Sequence, residues 1–239
     1  MRMRNGECGM GNAPPDPPFR NPQSAFRNPR DWGVYLVTDG QQTRGRDLVA
    51  VVDQALRAGV RAVQLREKDL NARDLCLTAE HLLPAVRAAD AALLINDRVD
   101  VALVVGADGV HLTRKSLPPG EVRRLLGPGK LIGASCHSIA EVREAVSAGV
   151  DFVVLGPVYA TPSKASFGPP LGLSLLREAR TVCPLPLVAI GGIKADQAPA
   201  VIAAGADGVA VISAVLSAAD PAAAARELLA AVSACRRGN

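Results

Sequence analysis

A repeated segment, in which a glycine precedes a short aliphatic run, constrains the fold of this chain more than any other feature. Four copies begin at Gly59, Gly106, Gly149 and Gly205, and each follows an alanine-rich amphipathic stretch. Glycine is the residue most often found in the left-handed conformation that ends a helix. The repeat therefore predicts four helix-to-strand junctions, about 45 to 55 residues apart, with room between them for a further strand and helix.

The remaining aliphatic runs complete a regular alternation of strands and helices. They lie at 34–38, 92–96, 131–135 and 186–191. Eight strands alternating with eight helices predict one α/β domain, a closed (β/α)8 or TIM barrel, over residues 31–239. An open doubly wound sheet is the alternative, but Thr-Asp-Gly-Gln after the first strand is not a dinucleotide-binding fingerprint.

Residues 1–30 differ in composition from the rest of the chain. They are rich in Pro, Asn and Arg, and the tetrapeptide FRNP occurs in them twice. Such a segment buries too little apolar area to offset its ordering entropy, so a disordered leader is predicted. It has no apolar core of the kind found in secretory signals.

Composition also limits the kinds of molecule that the protein is expected to bind and the compartment in which it is expected to work. Aromatic residues make up 3% and the net charge of +4 is scattered, so no nucleic-acid surface is expected. No apolar run reaches the length of about 18 residues that a membrane span requires. The five cysteines are dispersed and form no C-x-x-C motif, which is typical of reduced thiols in the cytoplasm. Small phosphorylated molecules are the expected partners, and a homo-oligomer is left open.

Catalytic residues of this fold lie where the strands end, and polar residues follow at least six of the eight strands. The second strand ends in Gln64, Leu65, Arg66, Glu67 and Lys68. Because side chains alternate along a strand, the first, third and fifth of these should point toward the barrel axis. Inward cations need anionic partners, either a bound pyrophosphate or, as the alternative, a salt bridge with Asp97 or Asp39.

A second anion site is expected beside the first. Two glycines and a serine follow strands seven and eight, where this fold usually binds phosphate on backbone N–H groups. A loop of hydroxyls and an ammonium group follows strand six and suits phosphate oxygens. Plain turns and a solvated loop are the alternatives. The residues concerned are Thr161, Pro162, Ser163, Lys164, Gly191, Gly192, Ile212 and Ser213.

Three further residues have two interpretations each. Asp97 follows the third strand and is either a Mg²⁺ ligand or a cap of the next helix. His137 is either a proton shuttle or, as we favour, an ordinary first-turn residue. His111 is expected to pack against the barrel mouth rather than to act in catalysis.

Taken together, these motifs resemble the thiamine-phosphate synthase family, from about Gly33 to the C-terminal helix. The matching segments, in order, are QLREK at 64–68, Asn96-Asp97, GVHL at 109–112, Ser135-x-His137, GPVYxTxSK at 156–164, IGGI at 190–193 and VIS at 211–213. None is specific alone, but their order and their placement on successive strands are.

The resemblance implies a transferase that joins hydroxymethylpyrimidine pyrophosphate to thiazole phosphate and releases pyrophosphate, assisted by Mg²⁺. It implies that residues 64–68, Asn96 and Lys164 bind the pyrimidine pyrophosphate, with Ser135 beside the reacting centre and Asp97 on the metal. It assigns the thiazole phosphate to the loop after strand six, Gly192, Ile212 and Ser213. Arg66, Lys68, Ser135 and Lys164 would then be the catalytic residues.

One position departs from the family pattern. Ser116 stands where the family usually has a second Mg²⁺ carboxylate, and a hydroxyl is a poor replacement on a hard cation. Two alternatives are therefore kept. One is a thiazole tautomerase of the same superfamily, which would use His137 and no Mg²⁺. The other is a barrel that senses a phosphorylated ligand without turnover.

Overall fold

The computed structural model describes residues 28–161 and 170–236, and within them eight parallel strands close into a barrel in sequential order. The strands are β1 Val34–Val37, β2 Ala62–Leu65, β3 Ala92–Asn96, β4 Gly109–Leu112, β5 Leu131–Cys136, β6 Phe152–Leu155, β7 Leu187–Ile190 and β8 Gly208–Val211. The helices are α1 Leu48–Arg57, α2 Ala72–Ala88, α3 Val99–Val105, α4 Pro119–Leu126, α5 Ile139–Ser147, α6 Gly172–Val182, α7 Ala198–Ala203, α8 Ser213–Leu216 and α9 Pro221–Arg236. The predicted (β/α)8 barrel is confirmed.

The glycines of the repeat take the backbone conformation that the sequence predicts. Gly59, Gly106, Gly149 and Gly205 have φ values of 114°, 67°, 76° and 104°. Each ends a helix and turns the chain into the next strand, as residues in this conformation commonly do. The repeat is therefore the signal that sets every second helix-to-strand junction of the barrel.

The aspartate of the repeat connects neighbouring strands at their N-terminal ends. The carboxylate of Asp151 accepts a hydrogen bond of 2.7 Å from the backbone N–H of Ile132, and that of Asp207 accepts one of 2.8 Å from Leu187. Asp108 does the same for β3. An arginine of a preceding helix also pairs with two of these carboxylates. These charge-assisted bonds hold β5 to β6 and β7 to β8 at the end of the barrel opposite the mouth.

Alternation along the strands separates two apolar layers. Outward side chains pack against the helices, and inward ones form a small aromatic core inside the barrel. Phe152 meets Trp32 and Tyr35 edge-on, at ring-centre distances of 5.1 and 5.8 Å. A Cβ on Gly133 would lie 2.2 Å from the Phe152 ring, so the neighbouring strand has no room for a larger residue there. Three of the four aromatic residues in the described ranges thus fill the inside of the barrel.

Residues 28–30, which the sequence assigned to the leader, take part in the structure at the bottom of the barrel. Pro29–Asp31 form a short 3₁₀ turn, and Arg30 lies 3.2 Å from Asp207 and donates to the Pro184 carbonyl. This turn closes the bottom of the barrel beside β8. Over the two described ranges, 28–161 and 170–236, none of the helices combines the length and apolar character needed to cross a membrane.

Candidate active site

The end of β2 presents side chains to both sides of the barrel wall, as the alternation predicts. Gln64 points into the barrel, where its side-chain amide donates to the Tyr35 hydroxyl at 3.1 Å. Leu65 is fully buried among the outer helices, so only its backbone can reach a ligand at the mouth. Glu67 also turns away from the axis and accepts a 2.8 Å bond from the Gly40 N–H. Its role in the structure is to hold the loop that follows β1.

The two cations after β2 have no ion-pair partner in the described ranges. The backbone N–H of Arg66 donates to the buried Thr38 hydroxyl at 2.8 Å, which fixes the chain where β2 leaves the barrel. Within residues 28–161 and 170–236, neither Arg66 nor Lys68 forms a salt bridge. The alternative of pairing with Asp39 or Asp97 is therefore wrong for the described part of the chain.

A chain of buried polar side chains crosses the barrel just below its mouth. The Tyr35 hydroxyl lies 3.5 Å from Nδ1 of His111, and Nε2 of His111 lies 2.8 Å from the Ser135 hydroxyl. Burial and the nearby Arg66 charge lower the pKa of His111 to about 3, and burial raises the pKa of Tyr35. Both side chains are consequently neutral at physiological pH. Ser135 is half-buried at the upper end of this chain.

Sequence reasoning found Ser135 but missed Tyr35, and it assigned His111 to packing alone. The available signal was period two along β1, which places Tyr35 on the inward side together with Val37. Tyr35 is one of only two tyrosines in the chain, and a buried tyrosine hydroxyl usually has a partner. Its two partners, Gln64 and His111, lie on β2 and β4, which no pattern within β1 could indicate.

Asp97 is held in a conformation that leaves its carboxylate at the mouth. Its φ is 65°, a left-handed value that is uncommon outside glycine, and its N–H donates to the His111 carbonyl at 2.9 Å. The next helix, α3, begins at Val99, and its cap residue Arg98 makes no side-chain capping bond. The interpretation of Asp97 as a helix cap is therefore wrong, and the exposed carboxylate is available to a ligand. Asn96, half-buried, precedes it at the end of β3.

The residues present fit Mg²⁺ only if the substrate completes the coordination. In the described ranges no three His, Cys, Asp or Glu side chains cluster as a metal site. The Ser116 hydroxyl accepts a 2.8 Å bond from the Thr113 N–H and lies 3.1 Å from the Thr113 hydroxyl. Both of these contacts are within its own loop. Mg²⁺ commonly takes one or two protein carboxylates with phosphate oxygens and waters. Asp97 would provide one such carboxylate.

The loops after β6 and β7 are joined side by side through glycine. Gly191 and Gly192 have φ values of 105° and 65°. The Gly191 carbonyl accepts a 3.0 Å bond from Tyr159, and a Cβ on Gly192 would lie 2.6 Å from the Ala160 carbonyl oxygen. This close approach brings Thr161, on the first loop, next to the exposed backbone of Gly192. Pro162, Ser163 and Lys164, which complete the predicted phosphate loop, lie outside the described residues.

The end of β8 lies beside the loop after β7 at the mouth of the barrel. Ile212 follows this strand with an irregular backbone, and the exposed Ser213 is the first residue of α8. Arg46 donates to the Leu216 carbonyl at 2.7 Å, which ties this helix to the loop after β1. The structure therefore brings Gly192, Ile212 and Ser213 to neighbouring strand ends.

Comparison with known proteins identifies the family of the chain. The family model described as thiamine monophosphate synthase matches residues 34–215. A putative thiamine-phosphate synthase of Geobacter sulfurreducens is 51% identical over 200 residues, covering 84% of this chain and 94% of the relative. Thiamine-phosphate synthase of Moorella thermoacetica is 46% identical over 197 residues, covering 82% and 94% respectively. The solved thiamine phosphate pyrophosphorylase of Pyrococcus furiosus superposes with a TM-score of 0.79 at 36% identity, covering 87% of this chain and 98% of that one.

The chain belongs to the thiamine monophosphate synthase family. The expectation of an enzyme of this family, a transferase, is thereby confirmed. Crystallised 3-hexulose-6-phosphate synthase, at 22% identity and a TM-score of 0.61, shares the fold.

His137, the residue on which the tautomerase alternative depends, lies at the edge of the synthase-type mouth. It precedes Ser138, the N-cap of α5, rather than lying in the first turn. Its backbone N–H donates to Glu141 at 2.7 Å and its Nδ1 contacts the Gly156 carbonyl. Glu141 in turn pairs with Arg114 at 2.6 Å. The neighbouring Cys136 is buried among apolar groups that raise the pKa of its thiol to about 12, which excludes an activated nucleophile.

Proposed function

We propose that this member of the family condenses hydroxymethylpyrimidine pyrophosphate with thiazole phosphate to give thiamine phosphate and pyrophosphate. The observation that carries the proposal is the pair of cations after β2, Arg66 and Lys68, which follow the strand end and have no salt bridge in the described chain. Unpaired cations at a site of this kind need an anionic ligand of more than one charge. The leaving pyrophosphate is such a ligand.

The reaction replaces the carbon–oxygen bond to pyrophosphate by a bond from the same methylene carbon to the thiazole nitrogen. The bond to the leaving group breaks early, so negative charge accumulates on pyrophosphate oxygens before the new bond forms. Arg66 and Lys68 stabilise that charge, and Ser135 donates a hydrogen bond to the departing oxygen. Lys164 belongs to the same proposal by family resemblance. Gln64 and Asn96 orient the pyrimidine from the ends of β2 and β3.

The second substrate, thiazole phosphate, is proposed to bind by its phosphate group where the loops after β6 and β7 meet the end of β8. This part of the mouth is called the phosphate corner. Gly192 follows β7 and Ser213 follows the adjacent strand β8, so their backbone N–H groups are candidates to bind the phosphate, and glycine allows the close approach that a phosphate requires. Thr161 follows Ala160, whose carbonyl oxygen approaches Gly192 closely, and Pro162 and Ser163 belong to the proposal by family resemblance. The two sites lie across one mouth, an arrangement that can hold the thiazole nitrogen near the methylene carbon that it attacks.

Mg²⁺ is proposed to be held by Asp97 and by pyrophosphate oxygens, without a second carboxylate from the protein. When bound, the ion would neutralise charge on the leaving group. Ser116 is not expected to contribute, because its hydroxyl is used within its own loop. Asp97→Asn retains tolerance of the left-handed backbone but removes the charge. Loss of metal-dependent turnover is expected in this variant, and unchanged activity would remove Asp97 from the site.

Two substitutions separate the synthase from the tautomerase alternative. Arg66→Gln should lower the rate of thiamine phosphate formation by about 100- to 1,000-fold, the usual effect of removing one preorganised donor to developing charge. His137→Ala should leave the rate within about threefold, a difference of less than 1 kcal/mol in activation free energy. The opposite ranking, together with aromatisation of a thiazole carboxylate phosphate by the wild type, would favour the tautomerase.

A cytoplasmic location is part of the same proposal. In the described part of the chain, Cys76, Cys136, Cys183 and Cys235 are all free thiols. Free thiols are usual in a reducing compartment.

A further inference from the structure

We propose that Tyr35 and His111 are positioning residues that orient the Ser135 hydroxyl toward the substrate. This inference rests on the proposed function, because Ser135 is the residue placed beside the leaving group. It assigns a role to two side chains that contact no predicted ligand. The chain of hydrogen bonds runs from Gln64 through Tyr35 and His111 to Ser135, on β2, β1, β4 and β5.

The direction of these hydrogen bonds follows from counting the donors and acceptors of the four side chains. The Gln64 amide donates to the Tyr35 oxygen, so the Tyr35 hydroxyl hydrogen needs a different acceptor. Nδ1 of His111, 3.5 Å away, is the acceptor that the described residues provide. A neutral imidazole that accepts at Nδ1 must carry its hydrogen at Nε2. His111 then donates to the Ser135 oxygen across 2.8 Å.

This direction determines what Ser135 can do. Its oxygen already accepts from His111, so its own hydrogen is directed elsewhere, and the half-buried side chain faces the mouth. A serine hydroxyl that donates toward the mouth stabilises an anion there. The reverse direction would make Ser135 donate to His111 and present a lone pair to the departing pyrophosphate, which is repulsive.

Packing keeps the His111 ring in place. The ring is 2% exposed and lies at 5.8 Å from the centre of the Phe152 ring and 6.0 Å from that of Tyr35. These two aromatic neighbours hold the imidazole between Tyr35 and Ser135, so its tautomer sets the direction of the hydrogen bonds.

The tautomer is measured on the resting protein, independently of turnover. The chain has only three histidines, so ¹⁵N-histidine labelling with His111→Gln as the assignment control identifies the His111 signals. The expected result at neutral pH is hydrogen on Nε2 and a bare Nδ1 in the wild type, with a mixture of tautomers in Tyr35→Phe. Hydrogen on Nδ1 in the wild type would overturn the proposal, whatever the enzyme catalyses.

Kinetics test whether the direction matters for the reaction. His111→Leu fills the space without a donor and should lower kcat by about 10- to 100-fold with KM within about threefold, as is usual for lost second-layer support. His111→Gln, which keeps a donor near the position of Nε2, should recover about tenfold of that loss. In a Ser135→Ala background, the same His111 substitutions should have almost no effect, because both act through one hydroxyl.

Failure of the proposed function and failure of the inference on Tyr35 and His111 give different results. Wild-type protein that makes no thiamine phosphate contradicts the proposed function, and the tautomer measurement still decides the hydrogen-bond direction. Equal losses of kcat from His111→Leu with and without Ser135 show that His111 acts by another route and overturn the proposal. Tyr35→Phe, which retains the ring and its packing, serves where His111→Leu does not fold, and a kcat equal to that of the wild type would remove Tyr35 from the chain.

Discussion

Replacing Gly192 by alanine tests whether the loops after β6 and β7 are as closely joined as the structure shows. Gly192 has a φ of 65°, and an added Cβ would lie 2.6 Å from the Ala160 carbonyl oxygen and 3.0 Å from Cβ of Tyr159. Both neighbours belong to the loop that leads to Thr161. The substitution must therefore push apart the two loops that form the proposed phosphate corner.

The chain offers a matched control for the backbone contribution. Gly106 has nearly the same φ, 67°, but an added Cβ would meet no atom within 4 Å. Gly106→Ala should therefore lower the free energy of unfolding by about 1–2 kcal/mol, the cost of a left-handed alanine. Gly192→Ala adds the cost of overpacking, about 1–3 kcal/mol. For a domain of this size each kcal/mol corresponds to about 2–4 °C in Tm.

Thermal unfolding followed by circular dichroism gives the stability of both variants, and steady-state kinetics gives KM for thiazole phosphate. Gly192→Ala should be the less stable variant and should raise that KM at least tenfold, while Gly106→Ala leaves it unchanged. The reasoning is refuted if both variants unfold at the same temperature and bind thiazole phosphate equally well.

Three further outcomes are expected. Asp151→Ala leaves the Ile132 N–H without its 2.7 Å partner, so it should lower the free energy of unfolding by about 2–3 kcal/mol in a denaturant titration. The control, Asp100→Ala on the surface, should change that free energy by less than about 0.5 kcal/mol. Ser116→Asp should lower the Mg²⁺ concentration for half-maximal turnover by about tenfold, because a second carboxylate joins the metal site; an unchanged Mg²⁺ curve would exclude this loop from the site. Cys136, whose thiol has its pKa raised to about 12, should resist iodoacetamide at neutral pH in native protein and react in urea, as peptide mass spectrometry would show.

The fold was predictable because its signals are local. A glycine that ends a helix and an aliphatic run that follows it recur along the chain, and both properties depend only on nearby residues. Alternation along β2 likewise predicted that Gln64 points inward while Leu65 points outward. The strand bounds differ from the predicted ones by a residue or so, as at β5, which extends to Cys136.

Residues of the candidate site could be predicted only where the sequence pattern within a single strand indicates them. The hydrogen bonds between Tyr35 and His111 and between His111 and Ser135 join strands that are distant in sequence. Their contact depends on register and on packing inside the barrel, which no single segment encodes. The left-handed backbone of Asp97 is similarly set by its bond to the His111 carbonyl on the adjacent strand.

The most direct test of the account is one incubation of purified wild-type protein with hydroxymethylpyrimidine pyrophosphate, thiazole phosphate and Mg²⁺, with thiamine phosphate detected by mass spectrometry. A parallel reaction omits Mg²⁺. The account predicts thiamine phosphate only when the metal and both substrates are present. Folded protein that forms none, under conditions in which a curated thiamine-phosphate synthase does, would contradict it.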